Sequence, residues 1–418
     1  MAASKYKPKA SSKSKSSARP KKAATERKAT NSKKEASQKP ASRILSSKSN
    51  KAKPNVRTAP AKKSSAKNSS RAATKKVVTK RGAEQSVVKP VRRHVAGVKP
   101  LAREFLHDLS RTVRDAVRPA IAAAKGREIV GTAPSGDATF ELDRIAEKAL
   151  LNFLKRAHAP VAYYSEEAGY TTFSSGQPKN LLVVDPIDGT RAAKSGFEGC
   201  TVSVCSTRII ERPTFGDVDS ALVMEILGNR TFYAERDNGA RMYVDGHARK
   251  VRLSGNTDLE KVIWAMTVPA RPAELIFPVA AKMIDLTSLK GGFFACNSTS
   301  YSLTRLVSGQ LDACVDFANR FYRDIRSVVE DSFINAGRGI VLGVCPYDFA
   351  GALLIAQEAG CTVTDAYGKG FDEVLLLDSS ISNHRSIIAA SNAELHQQLF
   401  EFFDARIKQY EKLLAGRK

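Results

Sequence analysis

The sequence predicts an α/β fold built from layers of helices and sheets. Along residues 101–418, stretches with helical spacing of apolar residues alternate with short β-branched stretches, and this alternation favours layered α/β architectures. One short stretch, residues 181–184, runs directly into Asp185 and Asp188. Its apolar character predicts a buried strand that carries two acids at its carboxyl end. Ligands bind at that end of the strands in open α/β sheets.

Size and charge divide the chain into two unlike parts. The 418 residues carry a net charge of +25, and residues 1–100 contain 30 Lys or Arg against three Glu. Residues 101–418 hold the remaining 37 basic and 39 acidic side chains. The predicted folded part is therefore close to neutral and long enough for a large core or two domains.

Residues 1–96 consist mainly of Lys, Ser, Ala and Pro. Ordering a backbone costs about 1–2 kcal/mol per residue, and this segment has little apolar surface to offset that cost. We therefore expect a disordered basic tail at 1–96 and a folded domain at 97–418. The tail resembles those of linker histones and some bacterial nucleoid proteins, which suggests non-specific binding of nucleic acid or another polyanion. The alternative is a solvated leader or targeting segment without a bound partner.

Helices are predicted where apolar residues recur every three or four positions. In 101–125 these positions include Leu109, Val113 and Val117, and Gly126 ends the segment. Further helices are predicted at 136–154, 273–286, 299–307, 324–335, 349–359 and 393–414. Gly360 follows one of them and suits a helix C-terminus.

Short apolar and β-branched runs predict the strands. They lie at 161–164, 181–184, 200–210, 220–227, 231–235, 293–295, 311–317, 361–365 and 386–391. No apolar run reaches 18 residues, so the sequence predicts no membrane span. The six cysteines show no C-x-x-C spacing, which favours reduced thiols and a cytoplasmic location.

Asp185 and Asp188 are candidate metal ligands. Two carboxylates about 4 Å apart repel by roughly 4 kcal/mol at an effective dielectric of about 20, so a proton or a cation must neutralise them. Mg²⁺ favours carboxylate oxygens together with substrate phosphate, and the N–H groups of Gly189 and Thr190 offer a seat for phosphate. The alternative is an ordinary turn with solvated acids.

Three further acids lie near predicted element ends. Asp143 is near a helix start, Glu166 follows a strand, and Asp348 precedes the helix at 349–359. By themselves, Asp143 and Asp348 are equally suited to cap their helices, and Glu166 suits a solvated surface.

Four blocks of the sequence together resemble one known family. They are Asp143-Arg-Ile-Ala-Glu147, Ser165-Glu-Glu167, Asp185-Pro-Ile-Asp-Gly-Thr190 and Tyr347-Asp348-Phe-Ala-Gly351. In this order they resemble the inositol monophosphatase family of Mg²⁺-dependent, lithium-sensitive phosphatases, whose superfamily includes fructose-1,6-bisphosphatases. The resemblance covers about residues 101–415. It implies an αβαβα sandwich, a homodimer, and hydrolysis of a small phosphorylated metabolite by direct attack of water.

The resemblance also implies the metal ligands. Glu166, Asp185 and the Ile187 carbonyl would hold one Mg²⁺, and Asp185, Asp188 and Asp348 would hold a second. A third, loosely held ion would contact Glu166. Two to three Mg²⁺ ions are therefore expected as cofactors, with Li⁺ as an inhibitor.

The remaining roles concern water and phosphate. Asp143 would hold Thr190, which would orient the attacking water together with Glu166. The N–H groups of Gly189 and Thr190 would bind the phosphate, next to Asp188 and Asp348. Arg191 departs from the usual family pattern, and we expect it to contact the phosphate or a second anionic group.

A second departure concerns the substrate. Inositol-specific members carry a glutamate about seven residues before the late aspartate, and this chain has Val341 there. Inositol or sugar phosphate, fructose 1,6-bisphosphate, another bisphosphate and histidinol phosphate all remain open as substrates. A rival from another class is a polyanion-binding protein that uses the basic tail and keeps the phosphatase body as a scaffold.

Overall fold

The computed structural model describes residues 97–124, 126–172 and 177–416. The predicted tail at 1–96 lies outside these residues, so its disorder and the boundary at 96/97 stay predictions. Within the described residues, no helix is long and apolar enough to cross a membrane.

The helices of the described residues occur along the whole folded part. They are α1 (Arg103–Ala122), α2 (Glu141–Ala157), α3 (Thr190–Ala193), α4 (Ala273–Thr287), α5 (Thr299–Val307), α6 (Ala318–Asp324), α7 (Arg326–Ala336), α8 (Pro346–Ala359) and α9 (Ala393–Ala415).

The strands belong to two large sheets and one hairpin. They are β1 (Ile129–Thr132), β2 (Ala138–Phe140), β3 (Val161–Ser165), β4 (Gly169–Thr172), β5 (Asn180–Asp188), β6 (Thr201–Thr207), β7 (Ser220–Glu225), β8 (Arg230–Glu235), β9 (Ala240–Val244), β10 (His247–Arg249), β11 (Ile263–Thr267), β12 (Gly292–Cys296), β13 (Ala313–Asp316), β14 (Thr362–Thr364) and β15 (Ile387–Ala390).

The first sheet has eight strands in the order β10-β9-β8-β7-β6-β5-β3-β4. Its strands pair antiparallel except β3 and β5, which are parallel. The second sheet has the order β12-β11-β13-β15-β14, with β12, β11 and β13 parallel and β15 antiparallel to both neighbours. Residues 133–137 connect β1 and β2, which form a separate hairpin.

Three hydrophobic cores hold the layers together. The first packs the apolar faces of α1 and α2 on one side of the first sheet. The second lies between the two sheets and contains α8 and part of α5. The third packs α4, α6, α7 and α9 on the far side of the second sheet. The order of layers is helix, sheet, helix, sheet, helix, which confirms the predicted αβαβα sandwich.

The middle layer positions the residues that follow. All nine residues of β5 are buried, as expected for a central strand covered on both faces. In α8, ten of the fourteen residues are buried, because it lies between two sheets. Phe349 of α8 stacks on Phe215, with ring centroids 5.8 Å apart. These elements are therefore among the most tightly packed in the molecule.

Candidate active site

The end of β5 brings Asp185 and Asp188 into one cleft between the two sheets. Residues three apart on a regular strand point to opposite faces. Here the register between β5 and β6 shifts between Asp185 and Asp188, and such irregularities re-aim side chains. Both acids are nearly buried, with exposed fractions of 3% and 6%, and both line the cleft.

The cleft gathers most of the residues that the sequence singled out. Residues from both sheets line it. The predicted ones among them are Glu166, Asp185, Ile187, Asp188, Gly189, Thr190, Arg191 and Asp348. The volume of the cleft is about 90 Å³, below the roughly 300–1,000 Å³ of typical ligand pockets. A bound metabolite would therefore extend beyond its enclosed part.

Asp188 is fixed by the start of α5, which lies across the cleft. Its Oδ2 accepts hydrogen bonds from Ser298 Oγ at 2.7 Å and from the Ser300 N–H at 2.6 Å. Burial raises the pKa of Asp188 to about 6, and the hydrogen bonds from Ser298 and Ser300 oppose that rise. The carboxylate therefore has a defined orientation although its charge is disfavoured.

Asp348 lies in the first turn of α8. Its Oδ2 accepts a hydrogen bond from the Cys345 N–H at 2.7 Å, and Cys345 is the N-cap residue. The helix start is also tied to α5, because Ser300 Oγ donates to the Asp348 carbonyl at 2.6 Å. Asp348 thus caps its helix and lines the cleft, so both interpretations of this residue are compatible.

Glu166 reaches the same cleft from β3. Because β3 and β5 are parallel neighbours, their carboxyl ends meet at one edge of the sheet. Ser135, in the turn between β1 and β2, donates its hydroxyl to Glu166 Oε1 at 3.1 Å. The adjacent Glu167 instead accepts a hydrogen bond from Thr139 Oγ1 at 2.6 Å.

The acids strongly disfavour one another's charge. Burial raises the pKa values of Glu166, Asp185 and Asp348 well above their ordinary ranges. Neighbouring carboxylates raise them further, chiefly Asp348 for Glu166, and Asp188 for both Asp185 and Asp348. Protons or cations must neutralise such a cluster near neutral pH.

Asp143 lies behind the cleft and contacts Thr190. Thr190 Oγ1 is 2.9 Å from Asp143 Oδ1 and 3.0 Å from the Ile187 carbonyl oxygen. The other oxygen of Asp143 accepts a hydrogen bond from the Phe140 N–H at 2.8 Å, at the start of α2. Burial raises the pKa of Asp143 to about 7, against the hydrogen bonds from Phe140 and Thr190.

Gly189 and Arg191 border Thr190. Gly189 has φ +95°, and a Cβ atom there would lie 2.5 Å from the Gly199 carbonyl oxygen. Only glycine therefore fits this turn. Arg191 Nη2 donates to Asp137 Oδ1 at 3.0 Å, which links α3 to the turn between β1 and β2.

Arg271 lines the cleft and was not predicted from the sequence. Val341, seven residues before Asp348, packs in the hydrophobic core on the far side of the second sheet and does not line the cleft. The residues that follow it, Leu342, Gly343 and Val344, do line the cleft. Asp316, at the end of β13, pairs with Arg271 at 2.8 Å. No motif in the sequence marks either residue.

The donor set suits a hard cation, although its present arrangement is not a closed site. Among residues 97–124, 126–172 and 177–416, no three His, Cys, Asp or Glu side chains already form a group that could hold a metal ion. Asp185, Asp188 and Asp348 each direct one oxygen to a hydrogen bond within the protein. The carboxylates repel one another and offer oxygen ligands, and both properties suit a divalent ion such as Mg²⁺.

A comparison with known proteins identifies related sequences. The sequence model of the inositol monophosphatase family matches residues 98–408. A bifunctional NADP phosphatase/NAD kinase of Methanococcus maripaludis is 24% identical over 313 residues, which cover 72% of this chain. The chain spans only 49% of that relative's length. A fructose-1,6-bisphosphatase/inositol-1-monophosphatase of Thermococcus kodakarensis is 25% identical over 300 residues, covering 71% of this chain and 95% of the relative.

Solved structures show the same fold. The extragenic suppressor protein suhB from Bartonella henselae superposes with a TM-score of 0.54 at 18% sequence identity. The match covers 72% of this chain and 97% of that structure. At this level of identity the likeness concerns the fold alone.

Proposed function

Because this chain belongs to the inositol monophosphatase family, whose model matches residues 98–408, we propose that it is a Mg²⁺-dependent phosphomonoester hydrolase of small phosphorylated metabolites. One observation carries the proposal: Glu166, Asp185, Asp188 and Asp348, from three separate segments, line one cleft beside Thr190. The names of the Methanococcus and Thermococcus relatives, both phosphatases, support the same class of reaction.

The acids are the proposed metal ligands. Glu166, Asp185 and the Ile187 carbonyl would hold one Mg²⁺, and Asp185, Asp188 and Asp348 a second, with a third ion near Glu166. When bound, Mg²⁺ lowers the pKa of a water molecule and neutralises charge on the leaving oxygen. The raised pKa values of these acids support the assignment, because a cation would relieve the repulsion that raises them.

The other residues bind and orient the reactants. Asp143, once deprotonated, accepts the hydrogen bond of the Thr190 hydroxyl and holds it in place, and the Thr190 oxygen accepts a hydrogen bond from the attacking water. The N–H groups of Gly189 and Thr190 bind phosphate oxygens at the start of α3. Arg191 adds positive charge at the rim, although Asp137 shares it. Phosphoryl transfer depends mainly on such positioning and charge stabilisation.

Release of inorganic phosphate from a panel of substrates tests the proposal. The panel contains inositol 1-phosphate, fructose 1,6-bisphosphate, histidinol phosphate and NADP, each with and without Mg²⁺ and Li⁺. We expect Mg²⁺-dependent release from at least one substrate, with inhibition by Li⁺. Release that is equally fast without Mg²⁺, or that persists in Asp188→Asn, would contradict the assignment of the site.

A homodimer and a cytoplasmic location are part of the proposal. Phe294 on the edge strand β12 is 53% exposed, and Ile263 on the neighbouring β11 is 39% exposed. Phe197, after α3, is 71% exposed. Burial of these apolar side chains would favour association of two copies. Sedimentation of Phe294→Glu against wild type tests this, with a shift to monomer expected; an unchanged sedimentation coefficient would exclude this surface.

A second function, polyanion binding, is supported by the charge of residues 1–96. They hold 29 Lys or Arg against three Glu and so account for all of the net charge of +25. Basic segments bind nucleic acid through phosphate contacts, with affinity that falls steeply as salt rises. Deletion of residues 1–95 is expected to leave phosphatase activity intact and to abolish salt-sensitive retention on DNA or RNA. Equal retention of the shortened protein would refute this role.

A further inference from the structure

Arg271 is a buried cation in the wall of the cleft. It lies between β11 and α4, next to Pro269 and Ala270, which also line the cleft. Its side chain is only 8% exposed, which is unusual for arginine unless it is paired. Ala270 has φ +56°, a conformation that residues with a Cβ rarely adopt. Strained backbone of this kind clusters at functional sites.

The guanidinium of Arg271 is held from behind. Its Nη2 donates to Asp316 Oδ2 at 2.8 Å, and its Nη1 donates to the Pro269 carbonyl at 2.7 Å. The second oxygen of Asp316 accepts a hydrogen bond from the Ala318 N–H at 3.1 Å. A guanidinium has five N–H donors, and these two bonds use two of them. Its orientation is therefore fixed, and within the described part of the chain its other three N–H groups have no protein acceptor and can bind a ligand.

The charge of Arg271 acts on both sides of the cleft. It is among the causes that lower the pKa of His384, after burial, and it opposes the rise in the pKa of Asp348. Both residues line the cleft. Arg271 is thus close to the acidic site, yet it forms no ion pair with any acid that lines the cleft; its ion-pair partner is Asp316.

Arg191, the other arginine of the cleft, is less suited to bind a ligand. It has three contacts with the carboxylate of Asp137, at 3.0–3.3 Å. Its side chain is 37% exposed, so water screens its charge. The side chain of Arg271 is buried and follows β11 of the second sheet, whereas Gly189 and Thr190, where the scissile phosphate is proposed to bind, follow β5 of the first sheet.

We propose that Arg271 determines specificity by binding a second anionic group of the substrate. The preferred substrates are then phosphomonoesters that carry a further phosphate or diphosphate, and monoesters of neutral polyols are disfavoured. Arginine recognises such groups with paired, charge-assisted hydrogen bonds. A substrate without this group would leave buried donors unpaired, which is the strongest basis for discrimination. This inference rests on the proposed phosphatase function.

Matched substrate pairs test the inference. Fructose 1,6-bisphosphate is compared with fructose 1-phosphate, and adenosine 2′,5′-bisphosphate with adenosine 2′-phosphate, so that only the second anionic group differs. In wild type we expect kcat/KM to favour the doubly anionic member by at least about tenfold. Arg271→Gln should remove most of this preference, chiefly through KM. The kcat/KM of the singly anionic member should change by less than about threefold.

Two further variants separate recognition from structure. Arg271→Lys keeps the charge without the paired donors and should restore part of the preference. Arg208→Gln alters another arginine paired with a carboxylate, Asp219 at 2.6 Å, and should leave the preference unchanged. If Arg271→Gln does not fold, the ratio in Arg271→Lys decides, with a ratio equal to wild type counting against the inference.

The outcomes distinguish the role of Arg271 from the phosphatase function. Equal losses on both members of a pair, or no preference in wild type, would overturn the role of Arg271 and leave the phosphatase function standing. Absence of phosphate release from every substrate with Mg²⁺ would overturn both. A preference that Arg271→Gln abolishes and Arg271→Lys partly restores supports the inference.

Discussion

Replacing Asp188 by asparagine is expected to abolish catalysis and, without metal, to stabilise the protein. The oxygen of an asparagine side chain accepts the same bonds from Ser298 and Ser300, which lie 2.7 and 2.6 Å from Asp188 Oδ2. The orientation of the side chain is therefore kept while its charge is lost. Loss of one preorganised electrostatic group in an active site costs about 10²–10³ in rate, and we expect at least that loss.

The gain in stability follows from the raised pKa. Burial raises the pKa of Asp188 from 3.8 to about 6, and each unit corresponds to about 1.4 kcal/mol. The charged carboxylate therefore lowers the free energy of unfolding by about 3 kcal/mol above pH 6. Because the folded state binds the proton more tightly, this penalty disappears as the pH falls from 6 to about 4. Asp188→Asn should gain stability at pH 8 and nothing at pH 4.

Urea unfolding at several pH values, in EDTA and in Mg²⁺, measures this effect. In EDTA at pH 8 the variant should unfold at higher urea than wild type. Mg²⁺ should stabilise wild type, since a ligand that binds only the folded state shifts unfolding, and should stabilise the variant less. Asp219→Asn is the matched control: its carboxylate pairs with Arg208 at 2.6 Å, so this variant should be active and no more stable than wild type. A destabilised or fully active Asp188→Asn would refute the reasoning.

Three further predictions concern other residues. With the pKa of Asp143 near 7, log kcat/KM should rise with pH up to about 7, and Asp143→Asn should remove that rise; a wild-type rate that falls across this range would count against the role of Asp143. Burial lowers the pKa of His384 from 6.5 to about 4, so the unfolded state takes up the proton first and stability should drop by up to about 3 kcal/mol between pH 6.5 and 4; urea unfolding of His384→Gln should lack this drop, and an unchanged pH dependence would refute it. Phe349→Ala removes a buried ring that stacks on Phe215 and should cost about 3–5 kcal/mol of unfolding free energy, whereas a loss below about 1 kcal/mol would show that the middle layer repacks.

Most of the fold was predictable because the buried apolar residues of its cores recur along the sequence at the spacing of a helix or a strand. The spacing of Leu109, Val113 and Val117 correctly marks the buried face of α1, and the apolar run before Asp185 marks β5. β11 was missed, because its Ala and Met blur the strand pattern of a segment covered on both faces. The strands β1 and β4 were missed because they are short, and because β1 is exposed along its whole length and β4 at every second residue.

The candidate site was predictable only where its residues lie in compact motifs. Asp185, Asp188 and Thr190 lie within a stretch of six residues, so a short sequence motif is enough to identify them. Arg271 lies more than 80 residues further along the chain. It is held by a buried ion pair with Asp316, and no rule of sequence spacing relates these two residues.

The hydrogen bonds from Ser298 and Ser300 to Asp188 bear on how this protein tolerates change. They tie an acid of the first sheet to α5, and Ser300 also holds the Asp348 backbone at the start of α8. The distance between Asp188 and Asp348 is thus set by the packing of α5 and α8, and not by the loops that connect the elements. Insertions in surface loops should leave this distance unchanged. Loss of a single methylene group where α5 packs against α8 should alter it, although the substituted residue does not contact either acid. Apolar positions where α5 packs against α8, which no substrate contacts, are therefore expected to influence the geometry of the two acids.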